Sequence, residues 1–334
     1  MWLMNGTAVQ GRGHISEGVP CQDKIASKSN GKINVIALAD GAGSAALSHI
    51  GAEKCVDTIT QYFLDHFDDC YFGDEDSVKQ RIYEVLIENL QQLAIDNECD
   101  IKDLASTLLC VAVTDDRVIT LHLGDGIIAY YNGQSVKVYS APDNGEFANV
   151  THFVTSSNAL SKIRIRKEVL SDATAFYLMS DGAGTSLYSP QQKAASNALK
   201  MMSDLSLLYS RDDVCEEITN FFTTSIGTKT LDDCSVVYMV KHKRTIDTFC
   251  QMSYNEQLDL LGIKRGTSHE RKRYRRFCDV IRFCETERSL QAVSRRIGIK
   301  PKYGKKYVER LTNIGMLKKE SSNIYVNANN ASGY

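Results

Sequence analysis

Apolar residues recur along this chain in three rhythms, each predicting a different kind of element. The run 33–40, INVIALAD, is short, rich in β-branched residues and bounded by Gly31 and Gly41, the pattern of a buried strand that ends on Asp40. Over about 45–67 and 76–97 the apolar positions recur at threes and fours. In the second segment these are Val78, Ile82, Val85, Leu86, Leu90 and Leu93, so two amphipathic helices are expected. Between 106 and 139 the pattern shortens into STLLCVAVTDD, RVITLHLGDG, IIAYYNGQ and SVKVYS. With Asp115-Asp116 and Asn132-Gly133 as turn signals, this predicts an antiparallel meander. Further strands are expected near 151–155, 163–170 and 175–180, helices near 190–208 and 212–226, and a strand at 234–241. Helices lying between two groups of antiparallel strands predict an α/β fold, a layered sandwich of two mainly antiparallel sheets flanked by helices.

Beyond Lys241 strand character fades. A first domain is expected over 1–245, a linker containing GIKRGTSHE over 246–270, and a small domain over 271–334. Within the last, helical spacing covers about 270–285 (Phe277, Val280, Ile281, Cys284), 289–297 and 303–315, and a hairpin ends in SNIYVN. This pattern resembles a winged helix.

Charge follows the same division. Residues 241–334 carry 21 Lys+Arg against 9 Asp+Glu, and residues 1–240 carry 18 against 32, although the whole chain has a net charge of only −2. An acidic body suited to cations is thus joined to a basic module suited to polyanions. Composition excludes other classes. With 43% apolar residues there is still no run approaching the roughly 18 apolar residues of a membrane span. The start, MWLMNGTAVQGRGH, has no basic stretch followed by an apolar core and cleavage site, so a cytoplasmic location without membrane partners is expected. The 10 cysteines are scattered singly through a long chain with no Cys-x-x-Cys pair, which favours free thiols over disulfides or a zinc site.

Five aspartates stand at strand ends or beside glycine: Asp23 in PCQDK, Asp40 in ALADGAG, Asp125 in HLGDGII, Asp181 in LMSDGAG and Asp232 in TLDDCSVV. Each alone is an ordinary turn residue. Together they suit Mg²⁺ or Mn²⁺, hard ions that take carboxylate, carbonyl and water oxygens delivered from several directions. A dinucleotide-binding reading of Gly41-x-Gly43 is weaker, because 56–67 continues as helix where an acidic strand end is required. No Gly-Lys-Ser/Thr follows either glycine-rich turn, so a P-loop is excluded.

In order, Gln22-Asp23, the strand into Asp40-Gly41, Leu-Gly-Asp-Gly at 123–126, Ser-Asp-Gly at 180–182 and Asp-Asp-Cys-Ser-Val-Val at 232–237 resemble the protein phosphatase 2C family, over about residues 8–241. The resemblance implies a serine/threonine phosphoprotein phosphatase that uses two Mn²⁺ or Mg²⁺ ions and a more labile third. By it, Asp40 bridges two metals, the Gly41 carbonyl completes one shell, Asp181 and Asp232 hold the other metal, Asp125 helps bind the third ion, and Asp23 belongs to the metal site too, orienting metal-bound water either as a direct ligand or from just outside the ligand set. Asp233 stands where the family usually has Asn and is the alternative ligand to Asp232. Many members grip phosphate with an arginine at the position of Gly18 here; GRGHISEGVPCQD instead resembles a bacterial subgroup, making His14 or Arg12 the candidate for phosphate binding or proton donation. Gln22, where many members have Glu, removes one charge from the site.

The implied partners are a phosphorylated protein and a cognate serine/threonine kinase. The winged-helix resemblance adds nucleic acid, through Lys302, Lys305, Lys306 and Arg310, or alternatively protein docking. The competing functional reading is a weakly active, phosphatase-like scaffold or phospho-sensing regulator acting through the basic module.

Overall fold

The computed structural model describes residues 2–142, 151–189, 191–192, 194–241, 246, 249–250, 252–321 and 323–327. The chain divides into two compact units, Met1–Ser206 with Arg211–Lys241, and Leu207–Ser210 with His242–Tyr334.

The first unit is built on two antiparallel sheets. Five strands run in the order β2 (Lys24–Ser29), β3 (Asn34–Ala39), β4 (Leu108–Val113), β5 (Arg117–Leu123), β8 (Arg164–Val169). The other sheet has seven: β1 (Trp2–Val9), β12 (Cys234–Lys241), β9 (Ala175–Met179), β6 (Ile127–Tyr131), β7 (Val136–Ser140), β11 (Ala194–Ala195), β10 (Tyr188–Ser189). Strand β3 shows why the two sheets stack. All six residues are buried. Val35, Ala37 and Ala39 pack among Ile59, Phe63 and Leu86 of the helices α2 (Ser48–Phe72) and α3 (Glu75–Asp96). Ile36 and Leu38 face the opposite way, into a cluster with Phe176, Leu178 and Val237 of the seven-stranded sheet. A strand covered on both faces reads as a continuous apolar run, which is how INVIALA reads.

Helix α3 follows its sequence pattern closely. Asp74 caps it by accepting from the Ser77 N–H at 3.0 Å, Glu75 and Asp76 fill its first turn, and Val78, Ile82, Leu86 and Leu90 form the buried stripe. On the far side of the seven-stranded sheet, helices α6 (Ala198–Leu208) and α7 (Arg211–Phe221) cover a buried polar patch. There the hydroxyls of Tyr177 and Ser203 are 2.6 Å apart, and Ser206 joins Asn5 to Tyr238.

Several expectations are corrected. The strands of 106–139 are not one meander: β4 and β5 belong to the five-stranded sheet, β6 and β7 to the seven-stranded one. The chain changes sheets at Gly124-Asp125-Gly126, where Gly124 takes φ +112°, a conformation open to glycine. Short apolar strands look alike whichever sheet they join, so the pattern alone could not separate them. Residues 151–155 are not a strand; Val154 makes one backbone bond, to the Ser106 carbonyl at 2.8 Å, before the chain turns. The helix expected from 190 begins at Ala198, since Ala194–Ala195 is strand. Strands β1 and β2 were not anticipated, because Asn5, Gly6 and Thr7 interrupt one apolar pattern and β2 is only half-buried.

The second unit has helices Glu270–Phe283, Leu290–Arg296 and Pro301–Asn313, and a three-stranded sheet in the order β13 (Arg288–Ser289), β15 (Ile324–Asn327), β14 (Leu317–Ser321). Phe277, Val280, Val293, Val308, Leu311 and Tyr325 form its core. The linker expected over 246–270 is corrected. Phe249, Leu258, Leu261 and Ile263 are buried in that same core, and Tyr254–Leu260 is a helix. Its start carries a capping box: the Glu256 N–H donates to Ser253 Oγ, and the Ser253 N–H donates back to Glu256 Oε2 at 2.7 Å.

All ten cysteines are free thiols. Among the described residues no helix is long and apolar enough to cross a membrane.

Candidate metal-binding active site

Strand register brings the five aspartates to one end of both sheets. Lys24 pairs with Ala39, so Asp23 and Asp40 stand one residue beyond the same rung of β2 and β3. In the other sheet Met179 pairs with both Val236 and Ile127, so Asp181, Asp232 and Asp125 also follow or precede strands at a shared end. Backbone bonds hold the junctions. Asp40 N–H donates to Thr107 Oγ1 at 2.9 Å, Thr107 N–H returns a bond to the Asp40 carbonyl at 2.8 Å, and Gly41 N–H donates to the Gln22 carbonyl at 3.3 Å. Asp181 opens a short helix (Asp181–Leu187) and accepts from the Gly182 N–H at 2.6 Å. A Cβ on Gly182 would lie 2.1 Å from the Asp233 carbonyl oxygen, so glycine there is what allows β9 and the segment before β12 to meet.

The electrostatics are those of crowded like charge. Asp23 is 1% exposed, and burial first, then the charges of Asp233 and Asp181, push its pKa up to about 7 against the hydroxyls of Ser235 and Ser180, which lower it. Among the described residues neither Asp23 carboxylate oxygen has an aligned hydrogen-bond partner. Burial raises Asp40 well above the usual carboxylate range, reinforced by Asp23, Asp181 and Asp232. Asp181 rises by burial and then by Asp125 and Asp232, and its carboxylate lies within hydrogen-bonding reach of Asp40. Asp125 is approached from the side by Thr151, whose hydroxyl donates to Oδ2 at 2.5 Å.

Asp232 and Asp233 play different parts. Asp233 is 2% exposed, and its carboxylate faces the N-terminal segment: Gly11 N–H donates to Oδ1 and Gln22 N–H to Oδ2, both at 2.6 Å. His14 Nδ1 lies 2.9 Å from the same Oδ1. Asp232 is exposed, accepts the Asp233 N–H at 2.9 Å, and adds its charge to Asp40 and Asp181. Arg12 is committed elsewhere: its guanidinium donates to the carbonyls of Gly227 (3.2 Å), Thr228 (2.9 Å) and Thr230 (3.3 Å). The fold subdivides the remaining expected contacts as well. Lys302, Lys305, Lys306 and Arg310 lie on Pro301–Asn313 in the second unit.

Hard oxygen donors, orphaned carboxylate oxygens and neighbouring charges that are all negative suit a divalent cation better than any charge the chain places there. Among the described residues no three His, Cys, Asp or Glu side chains are drawn together tightly enough to form a finished ligand set. Sequence reasoning missed Thr107, Ser180, Ser235 and the clamp role of Asp233. A Ser-Thr pair leading into a buried strand, and the second acid of Asp-Asp, were the available signals.

The family model described as Protein phosphatase 2C matches residues 10–222. Serine/threonine-protein phosphatase 3 of Escherichia coli (strain K12) is 28% identical over 167 residues, 48% of this chain and 66% of that protein, just under two thirds of its length. Among solved structures, the serine/threonine phosphatase Stp1 from Staphylococcus aureus is 12% identical with a TM-score of 0.50, covering 72% of this chain and 95% of that one. A C. elegans sex determining protein is 14% identical with a TM-score of 0.52, covering 73% and 66%. At such identities the two structures speak to the fold alone.

Proposed function

Since this chain belongs to the protein phosphatase 2C family, we propose that its first unit hydrolyses phosphoserine or phosphothreonine esters on proteins by a two-metal mechanism, with water as the nucleophile. The observation that carries this reading is the convergence of five aspartates from both sheets, among them the buried Asp23, whose carboxylate oxygens have no aligned hydrogen-bond partner among the described residues. The family is metal-dependent and generally uses Mn²⁺ or Mg²⁺. Asp40, the Gly41 carbonyl, Asp181 and Asp232 are the proposed ligands of two ions, and Asp125 of a third. Asp232 is proposed in preference to Asp233, whose two oxygens each already accept a backbone N–H. Bound cations supply Lewis acidity, lowering the pKa of water at the site and neutralising the phosphoryl oxygens.

The chain's own residues do the rest. Asp23 sits deepest and accepts a hydrogen bond from the attacking water, fixing its lone pair toward phosphorus. Asp233 fixes the N-terminal segment and faces His14 Nδ1, which leaves Nε2 to donate a proton to the leaving serine or threonine oxygen. No arginine stands at the Gly18 position and Arg12 is bound to carbonyls, so phosphate gripping also falls to His14. The substrate partner is a phosphoprotein and its counterpart a serine/threonine kinase.

The test is phosphate release from a phosphothreonine peptide with Mn²⁺. Asp40→Asn should lower turnover on the order of a thousandfold or more, since losing one charge-stabilising group of this kind costs roughly 10²–10³ and here it also weakens the ions. His14→Ala should lower it about a hundredfold, at the low end of general acid catalysis. Folded wild-type protein without turnover in either Mn²⁺ or Mg²⁺ would instead support the scaffold reading.

A further inference from the structure

The second unit contains a feature of opposite charge. A cavity of about 730 Å³ opens between helices Glu270–Phe283 and Pro301–Asn313, within the roughly 300–1,000 Å³ typical of small-molecule sites. One wall is the stripe His269, Lys272, Arg273 and Arg276; the other is Tyr303, Lys306, Tyr307 and Arg310. Both follow helical i, i+3, i+4, i+7 spacing, so each stripe is a single face turned into the cavity. No acidic residue lines it. The side chains of Lys272, Arg273, Arg276 and Lys306 have no ion pair or hydrogen bond with any described residue. Five cations around one concavity, most of them in water, repel each other only weakly, and an anion placed between them gains from all five.

Two details show that more than a solvated basic face is present. Arg310 is fixed in place, because its Nε and Nη2 donate to the Leu260 carbonyl at 3.1 and 2.6 Å. The turn beside it has Gly262 at φ +65°, with Arg310 Cζ 3.7 Å from where a Cβ would be. The guanidinium is thereby held in place before any ligand arrives. The wall is also aromatic: Tyr307 packs on Phe277 with ring centroids 4.6 Å apart, and Tyr303 is 55% exposed, its ring unpartnered among the described residues.

We propose that this groove binds a nucleoside polyphosphate, its phosphates held by Arg273, Arg276, Lys306 and Arg310 and its base stacked on Tyr303. Phosphates explain the cations, an acidic peptide would leave the exposed ring unused, and the concave walls suit a small ligand better than the convex backbone of a duplex. The inference is independent of the phosphatase reading, which concerns the other unit.

The experiment uses the full chain in chelator, so that the aspartates of the first unit cannot capture phosphate through a metal. Fluorescence anisotropy with a labelled GTP or ATP should show saturable binding that the unlabelled nucleotide displaces. The double variant Arg273→Ala, Arg276→Ala should weaken it about a hundredfold, from two charge-assisted contacts at roughly tenfold each. Tyr303→Ala should weaken the nucleotide about tenfold while leaving competition by inorganic triphosphate unchanged, which a merely structural role for the ring would not do. Thermal unfolding checks each variant, with Lys306→Gln as the substitute if the double variant does not fold. Absence of nucleotide binding, equal affinity in the variants, or binding confined to single-stranded oligonucleotides or phosphopeptides would overturn the proposal.

Discussion

The acidic end of the two sheets and the basic groove between two helices both gather like charge without counter-charge, yet they are built in opposite ways. The aspartates come from positions up to about two hundred residues apart, and strand register aligns them. Their positions are rigid because the sheets are, and burial raises the pKa of three of them. The cations of the groove come from two helices, each supplying an i, i+3, i+4, i+7 face, and most remain in water. Charge is therefore costly to the fold in the first region and nearly free in the second. Strain against stability belongs to the buried site, whereas the exposed groove depends on a ligand for any energetic consequence.

The sharpest way to break this contrast is Asp233→Ala. It leaves the buried N–H groups of Gly11 and Gln22 without an acceptor. At roughly 1.5–3 kcal/mol for each hydrogen bond to a charged group, a loss of about 3 kcal/mol or more is expected in urea unfolding. Activity should fall with it, since the freed segment carries Asp23. Asp233→Asn keeps one acceptor and should recover part of that stability. By the same logic Arg276→Ala should stay within about 0.5 kcal/mol of wild type. Equal losses at the two positions would erase the distinction between the regions.

A second, smaller effect is pH dependence of the metal-free protein. The Asp23 carboxyl, which ordinarily titrates near 4, is pushed up to about 7 in the fold by burial. The unfolded chain therefore releases this proton near pH 4, while the folded protein keeps it until about pH 7. The stabilising contribution is fully present below pH 4 and is lost as pH rises to 7, at a slope of at most about 1.4 kcal/mol per pH unit per group. Asp40 and Asp181, raised by the same burial, act in the same direction. Urea midpoints in chelator between pH 5 and 7 should fall, Asp23→Asn should flatten the trend, and excess Mn²⁺ should remove it. A stability that rises with pH over this window would contradict the burial argument.

This division also explains what could be seen in the sequence. The buried strand 34–39, helix α3 and the Asp-Gly turns were legible because each carries a local signal: a continuous apolar run, a repeat at threes and fours, a bend after an acid. The identity of the sheet to which each strand belongs was not, since β5 and β6 are both short, largely apolar runs although they lie in different sheets. Strand β1 is held by eight rungs to β12, a partner more than two hundred residues away, and its own pattern is broken by Asn5, Gly6 and Thr7. In the second unit the helices were legible, but the linker expected over 246–270 hid a capping box at Ser253 and Glu256 that sequence already displayed. The clamp formed by Asp233 depends on tertiary contact alone. An Asp-Asp pair does not say which acid turns toward the other aspartates and which toward the backbone.

The smallest effect separates neighbours on one helix. Lys305 lies outside the cavity lining, 3.4 Å from Glu309, with both side chains more than half exposed. An exposed i, i+4 pair is worth at most about 0.3–0.5 kcal/mol, and lysine preceding glutamate is the weaker orientation. Lys305→Ala should therefore change stability by about 0.3 kcal/mol or less and leave nucleotide affinity at the wild-type value. Lys306→Ala, one position along and inside the groove, should cost about tenfold in that affinity. Simple attraction to a basic surface predicts equal losses for the two lysines, because their charges and exposure are alike. A difference confined to Lys306 means that the inward face of the helix, rather than its total charge, selects the ligand.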